Sequence, residues 1–189
     1  MLESLIANLP TAVEFVFFGY LVVVYLYECL DRPGGFWLLS LSATALWGIT
    51  YIVHEAGHIY WSFDGEVVRI FGGTLNELLF TMGIGTIAML RGYPRSAALF
   101  LLWFSYATVG ISKYIADART QKLPIPGGGL HDWHWLLSNA NLLEYDQTLS
   151  RIAFVLGALV VPCALALLYL GYRSDLDTAP SSDNLSTSG

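Results

Sequence analysis

The sequence predicts an all-α protein, a polytopic membrane helix bundle of about five transmembrane helices with a histidine-containing fourth loop. Three observations predict it. Of 189 residues, 55% are hydrophobic and only 13% are charged, where a soluble domain carries about a quarter charged residues. Five stretches each offer close to the roughly 20 mainly apolar residues that a helix needs to cross the hydrocarbon of a bilayer. The breaks between the first four combine charge with Gly or Pro, which stops a helix and prefers water.

The first stretch covers about 11–30 and ends at Asp31-Arg32-Pro33-Gly34-Gly35. Residues 1–15 hold no Lys or Arg, so this stretch lacks the positive region of a cleavable signal peptide and is expected to remain as a span. The second stretch, 36–61, is followed by Phe63-Asp64-Gly65-Glu66. The third, 74–90, is the shortest, and Gly83 and Gly85 offer a neighbouring helix a close approach. Arg91-Gly92-Tyr93-Pro94-Arg95 separates it from the fourth stretch, 96–116, and a longer loop of about 117–148 leads to the fifth, 149–172. Residues 1–173 thus form one transmembrane domain, and the Ser/Asp-rich stretch 174–189 is expected to be a disordered polar tail.

Composition also excludes function classes. A net charge of -6 without a basic patch excludes nucleic acid as a partner. Cys29 and Cys163 lie far apart inside apolar runs, which suits neither a disulfide framework nor a cysteine metal site. The bilayer itself is the partner that the composition demands, and the expected location is the cell membrane, crossed several times. Five spans put the 62–73 and 117–148 loops on one side. Arg32, Arg91, Arg95 and Arg173 fall on the other, in short loops or directly after a span, and this favours the second side as cytoplasmic.

The chemistry is concentrated in His54-Glu55-Ala56-Gly57-His58, at the end of the second stretch. On a helix, residues four apart share a face, so both imidazoles can bind one Zn²⁺. Glu55 stands beside them as the general base for a water activated by that metal. Given this composition, chance alone yields such a pattern on the order of 0.003 times. The plainer reading makes the three residues an interfacial cluster, but three ionisable groups in one turn at the edge of an apolar span are costly without a function. The chain has four histidines, and the other two, His131 and His134, lie in the fourth loop. Five spans bring that loop to the same membrane side as His54 and His58.

A third metal ligand has several candidates. Glu77 follows His58 by 19 residues in Thr74-Leu75-Asn76-Glu77. That separation resembles the third zinc ligand of thermolysin-like and aminopeptidase enzymes, while Thr74-x-x-Glu77 also reads as a capping box at a helix start. His131 and Asp132 are rivals for the position, since a loop ligand can fold over the site. Two fourth-loop ligands added to the two histidines would close the metal and make its role structural. Asp117 reads either as an ion-pair partner of Lys113 four residues earlier or as a carboxylate that orients an imidazole. Trp133 and Trp135 are expected to anchor the loop among lipid headgroups. Gly127-Gly128-Gly129, with no Lys-Ser/Thr after it, is no phosphate loop.

The His54–His58 motif at the end of a membrane helix resembles the site-2-protease class of membrane-embedded zinc metallopeptidases. The resemblance implies that His54 and His58 bind zinc, that Glu55 activates water, and that a later membrane helix delivers an aspartate. In the matching region this chain has Asn139-Ala140-Asn141-Leu142-Leu143-Glu144-Tyr145-Asp146, with Gln147 where the class has Gly. The chain also resembles small prokaryotic membrane proteins that share three blocks. Here those blocks read His54–His58, then Phe71-Gly72-Gly73-Thr74, then Tyr114-Ile115-Ala116-Asp117-Ala118-Arg119 with Gly128-Gly129-Leu130-His131-Asp132-Trp133. This second resemblance implies a membrane-embedded peptidase without naming its substrate. The leading expectation is therefore a zinc-dependent hydrolase acting on a membrane protein or peptide. A zinc-dependent lipid amide or ester hydrolase, and a non-enzymatic protein with a structural metal or haem, stand as alternatives.

Overall fold

The computed structural model describes residue 16 and residues 19–23, 37–125 and 128–178. Among the described residues the chain is all-helical and holds no strand. Residues 16 and 19–23 are helical. They are followed by α1 (Trp37–Tyr60), α2 (Glu66–Leu90), α3 (Pro94–Ala116), α4 (Asp132–Asn139), a 3-10 turn (Leu143–Tyr145) and α5 (Asp146–Thr178). Glycine and proline set the boundaries. Gly65, ahead of α2, and Gly92, after it, take φ 95° and 79°, a region open to glycine at little cost. Pro94 starts α3, where its missing N–H breaks no helical hydrogen bond.

Two expectations are corrected here. The segment 62–73, expected as a loop, is mostly helix, because α2 begins at Glu66. Thr74 and Glu77 consequently lie well inside α2, and the capping-box reading fails. The 117–148 loop is also not a plain loop, since it folds into α4 and the 3-10 turn before α5 begins. At the other end α5 continues to Thr178, past the expected tail boundary at 174; residues 179–189 lie outside the described residues. So does most of the 11–30 stretch, including Glu14 and Cys29.

Three helical segments are long and apolar enough to cross a membrane: Glu66–Leu90, Pro94–Ala116 and Leu143–Ser174. Their surroundings are inverted relative to a water-soluble core. Leu90, Ile59, Ile52 and Leu170 point outward, whereas Thr50, Thr74, Thr81, Ser105, Thr108 and Ser112 are buried. Lipid rewards that inversion, provided that the inner hydroxyls find partners. Ser105 donates to the Gly157 carbonyl at 2.7 Å and Thr81 to Glu77 O at 2.8 Å. The Trp103 indole donates to Thr50 Oγ1 at 2.9 Å.

The helices pack in the order α1–α2–α3–α5, with α4 lying against α2 and α3. Along α3, Ala98 and Leu102 meet Ala164 and Leu168 of α5, with Leu21 and Val22 packed against them. Further along, Ile111 and Ile115 meet Ala118 and Leu137, and Trp133 packs on that cluster. A hydrophobic patch at the end of α3 thereby seats α4 and fixes where Asp132 begins it. Gly85 accommodates Phe100 and Ala97 of α3, while the Gly83 position faces open space.

Candidate metal centre

The centre is built on a crossing of α1 and α2 that glycine makes possible. On α1, residues 54, 57, 58 and 61 follow the i, i+3, i+4, i+7 pattern of a single helix face. On α2, residues 69, 72, 73, 76 and 77 do the same. A side chain at Gly57 would stand 2.6 Å from Asn76 Cβ and 2.8 Å from the Gly72 carbonyl carbon, and one at Gly72 would stand 2.9 Å from Gly57 O. The two backbones therefore touch, as small residues permit between membrane helices. Asn76 Nδ2 donates to Val53 O at 2.6 Å across the same seam. Gly73 makes room for a ring: a Cβ there would lie 2.6 and 2.7 Å from Cε1 and Cδ2 of His54 and would also overlap its Nε2.

Both imidazoles are held through their Nδ1 atoms. His54 Nδ1 meets Glu77 Oε1 at 2.6 Å, and His58 Nδ1 meets the Arg69 carbonyl at 2.8 Å. The Glu77 carboxylate and a carbonyl accept, so each Nδ1 carries a hydrogen, and in the neutral rings, the form that binds a metal, each Nε2 presents a lone pair. Those two Nε2 atoms stand 3.0 Å apart. Asp132 Oδ2, delivered by the start of α4, lies 3.0 Å from His54 Nε2 and 3.3 Å from His58 Nε2. Three potential ligand atoms thus converge on one point, where positive charge, a shared proton or a metal ion, must lie between them. His54 and Asp132 are buried, and Glu55 is exposed.

His54, Glu55 and His58 each offer a ligand atom within 4.8 Å of the others, a group that could hold a metal ion. The separations from Asp132 are shorter still. Two zinc ligands at 2.0–2.1 Å in a tetrahedron lie about 3.3 Å apart. The three edges of 3.0, 3.0 and 3.3 Å formed by His54 Nε2, His58 Nε2 and Asp132 Oδ2 match that within a few tenths of an ångström. Residues of this donor set fit a zinc ion.

The remaining residues singled out in the sequence have other partners. Glu77 is buried against Nδ1 of His54, on the opposite side of the ring from Nε2. His131, 2% exposed, caps α4: its Nδ1 accepts from His134 N at 3.2 Å, while its Nε2 faces Asp117 Oδ2 at 3.5 Å. Burial pushes the His131 imidazole below its ordinary value, which keeps the ring neutral. His134 Nδ1 donates to Ala118 O at 2.7 Å. Trp133 packs edge-on to Phe71, with ring centroids 6.1 Å apart, between α2 and α4. Asp146 is fully buried and held by Arg119, whose Nε and terminal nitrogen each stand 2.7 Å from a carboxylate oxygen.

Asp117 accepts hydrogen bonds from the Thr120 hydroxyl, from Lys122 N at 2.9 Å and from Leu123 N at 2.8 Å. Burial works against its charge, but these bonds hold the carboxyl below the usual range. Several contributors to the site have no role assigned from the sequence, although Gly72, Gly73 and Tyr114 stand in the blocks quoted above. They are Gly72 and Gly73, the Arg69 carbonyl, and Tyr114, whose hydroxyl accepts from Asp132 N at 3.1 Å and whose ring stacks on His131 at 4.2 Å. Adjacent glycines inside an apolar run were the only local signal of the crossing.

No protein-family model matches this chain, and no curated protein or solved structure matches it either.

Proposed function

We propose that the chain is a multi-pass protein of the cell membrane, with five spans, and acts as a zinc-dependent hydrolase, foremost a peptidase, on substrates at the membrane interface. One observation carries the reading: the two Nε2 atoms and the Asp132 carboxylate converge within 3.0–3.3 Å, while both Nδ1 atoms are committed elsewhere. His54, His58 and Asp132 would hold the ion, and Glu77 and the Arg69 carbonyl would orient the rings, as outer partners of zinc-bound histidines commonly do. Zinc supplies Lewis acidity that makes water acidic and carbonyls electrophilic near neutral pH.

The protein's own part is proton transfer and positioning. Glu55, next to His54 in sequence but exposed on α1, accepts the proton of the attacking water and returns it to the leaving amine. Tyr51, one turn earlier, lies in hydrogen-bonding reach of Glu55 and fixes that carboxylate. His54 and His58 precede the end of α1 at Tyr60 by six and two residues, hence by about 9 and 3 Å along the axis. Such a depth suits a scissile bond near the headgroups rather than at mid-bilayer. Ile52 and Ile59, three residues before and four after Glu55, are 68% and 77% exposed. This apolar surface beside the carboxylate supports a second reading, a lipid amide or ester as substrate.

Purified protein in detergent, incubated with a model membrane peptide and separately with mixed lipids, tests both readings. Glu55→Gln should retain zinc and lose turnover. Wild-type zinc content in a His54→Ala, His58→Ala double variant would remove the ligand assignment, and undiminished cleavage by Glu55→Gln would remove the base.

A further inference from the structure

We propose that His131 is the positioning residue for Asp132, acting with Asp117 as a buried clasp that closes the 117–131 segment and sets the start of α4 against the two metal-site histidines. The inference rests on the zinc reading above. Histidine is not among the side chains that favour an N-cap, a role that Ser, Thr, Asp and Asn fill best. A shorter cap would satisfy the helix but could not reach further. Here one ring nitrogen serves the cap and the other faces Asp117 Oδ2 at 3.5 Å. Since Nδ1 accepts from His134 N, the hydrogen of the neutral ring is on Nε2, which makes no hydrogen bond and meets that carboxylate through an electrostatic approach only.

Asp117 stands where the chain leaves α3. Its carboxylate gathers Thr120, Lys122 N and Leu123 N, and its carbonyl accepts from Gln121 N at 2.7 Å. Gln121 is thereby held at φ 47°, a left-handed conformation that a non-glycine residue adopts only when its surroundings impose it. Both ends of the segment therefore meet at one carboxylate. The imidazole is 2% exposed and lies against Tyr114, whose hydroxyl takes the Asp132 N–H. Asp132 is the first residue of an eight-residue helix, too short to form without such anchoring. A ligand oxygen must be held to within about 0.2 Å, and the clasp supplies that constraint from residues that touch no metal.

The test uses full-length protein in detergent and zinc affinity measured by competition with a chromophoric chelator. Relative to wild type, His131→Ala should weaken zinc binding by about 10- to 100-fold, the range for loss of an outer partner. His131→Asn, which keeps a cap acceptor without the ring, should recover part of that loss. In an Asp132→Ala background, His131→Ala should change affinity by less than twofold, because the residue through which it acts is gone. Unchanged affinity in His131→Ala would overturn the inference, as would a loss equally large in both backgrounds, which marks general destabilisation. Wild-type protein that takes up no zinc would overturn the metal centre itself. Wild-type binding with an insensitive His131, or with an equal loss in both backgrounds, removes the clasp alone.

Discussion

Gly73→Ala separates the packing of the site from its chemistry. A methyl group at 73 would stand 2.6 and 2.7 Å from Cε1 and Cδ2 of His54, where carbon atoms rest at about 3.5–4.0 Å. The imidazole must therefore retreat by roughly 1 Å. Metal–ligand distances tolerate about 0.2 Å, so the displaced Nε2 leaves the triangle it forms with His58 and Asp132. Two effects on stability oppose each other. Alanine is the better helix former by about 1 kcal/mol, and overpacking costs about 1–3 kcal/mol. The net change in stability of the metal-free protein should lie within about 2 kcal/mol, while zinc affinity falls at least 100-fold.

Gly83→Ala supplies the control on the same helix. Nothing lies within 4 Å of a Cβ at 83, so only helix propensity acts, and zinc affinity should stay unchanged. Chelator competition reads the affinity, and helical circular dichroism during thermal unfolding in detergent reads the stability. A Gly73→Ala protein that binds zinc within twofold of wild type would show that His54 does not use the position described, and the centre would need another geometry.

Two further predictions concern carboxylates. Glu77→Ala strips the acceptor from a buried Nδ1–H of His54 and should weaken zinc by about 10- to 100-fold, whereas Glu77→Gln keeps a carbonyl acceptor and should lose less than tenfold. An equal collapse in both variants, matching His54→Ala, would make Glu77 a direct ligand. Asp117→Ala leaves the Thr120 hydroxyl and the Lys122 and Leu123 amides without their acceptor, at about 2–4 kcal/mol of stability. Because the folded-state value of Asp117 is lowered, the unfolded chain binds the proton more readily. The contribution is complete above the unfolded value of about 3.9 and disappears as pH falls through the lower folded value. The melting temperatures of wild type and Asp117→Ala should differ at pH 7 and converge in strong acid, and a constant gap would refute the assignment.

The parts of the site that were legible in sequence are those encoded locally. His54 and His58 announce themselves because one helical turn is a short-range rule, and Glu55 comes with them. The third carboxylate was not decidable, since Asp132 lies 78 residues from His54 and Glu77, His131 and Asp132 all fitted a ligand role on spacing alone. The packing of α4, through Leu137, on Ile111, Ile115 and Ala118 chooses which of them approaches the Nε2 atoms. The helix start at Glu66 was hidden for a related reason. The apolar stretch expected from 74 leaves out Gly72 and Gly73, but those glycines are a contact surface for α1 inside α2, and tertiary packing outweighs their poor helix propensity.

The choice between a hydrolytic and a structural centre turns on the fourth coordination position. A closed site needs another protein ligand, and the nearest rivals in sequence are committed: His131 to the α4 cap and Asp117, His134 to Ala118 O, and Glu77 to the far nitrogen of His54. None can turn to the ion without abandoning a buried polar partner, which costs about 1–3 kcal/mol. The residue left near the open side is Glu55, exposed and within 4.8 Å of both histidine ligand atoms. Under the proposed reading, three protein ligands leave one position for water or substrate, the composition of a catalytic zinc site. X-ray absorption of the zinc-loaded protein decides the matter: two imidazoles and two oxygens, one of them exchangeable with solvent, support the hydrolase. A third imidazole in the shell would return the protein to a structural role.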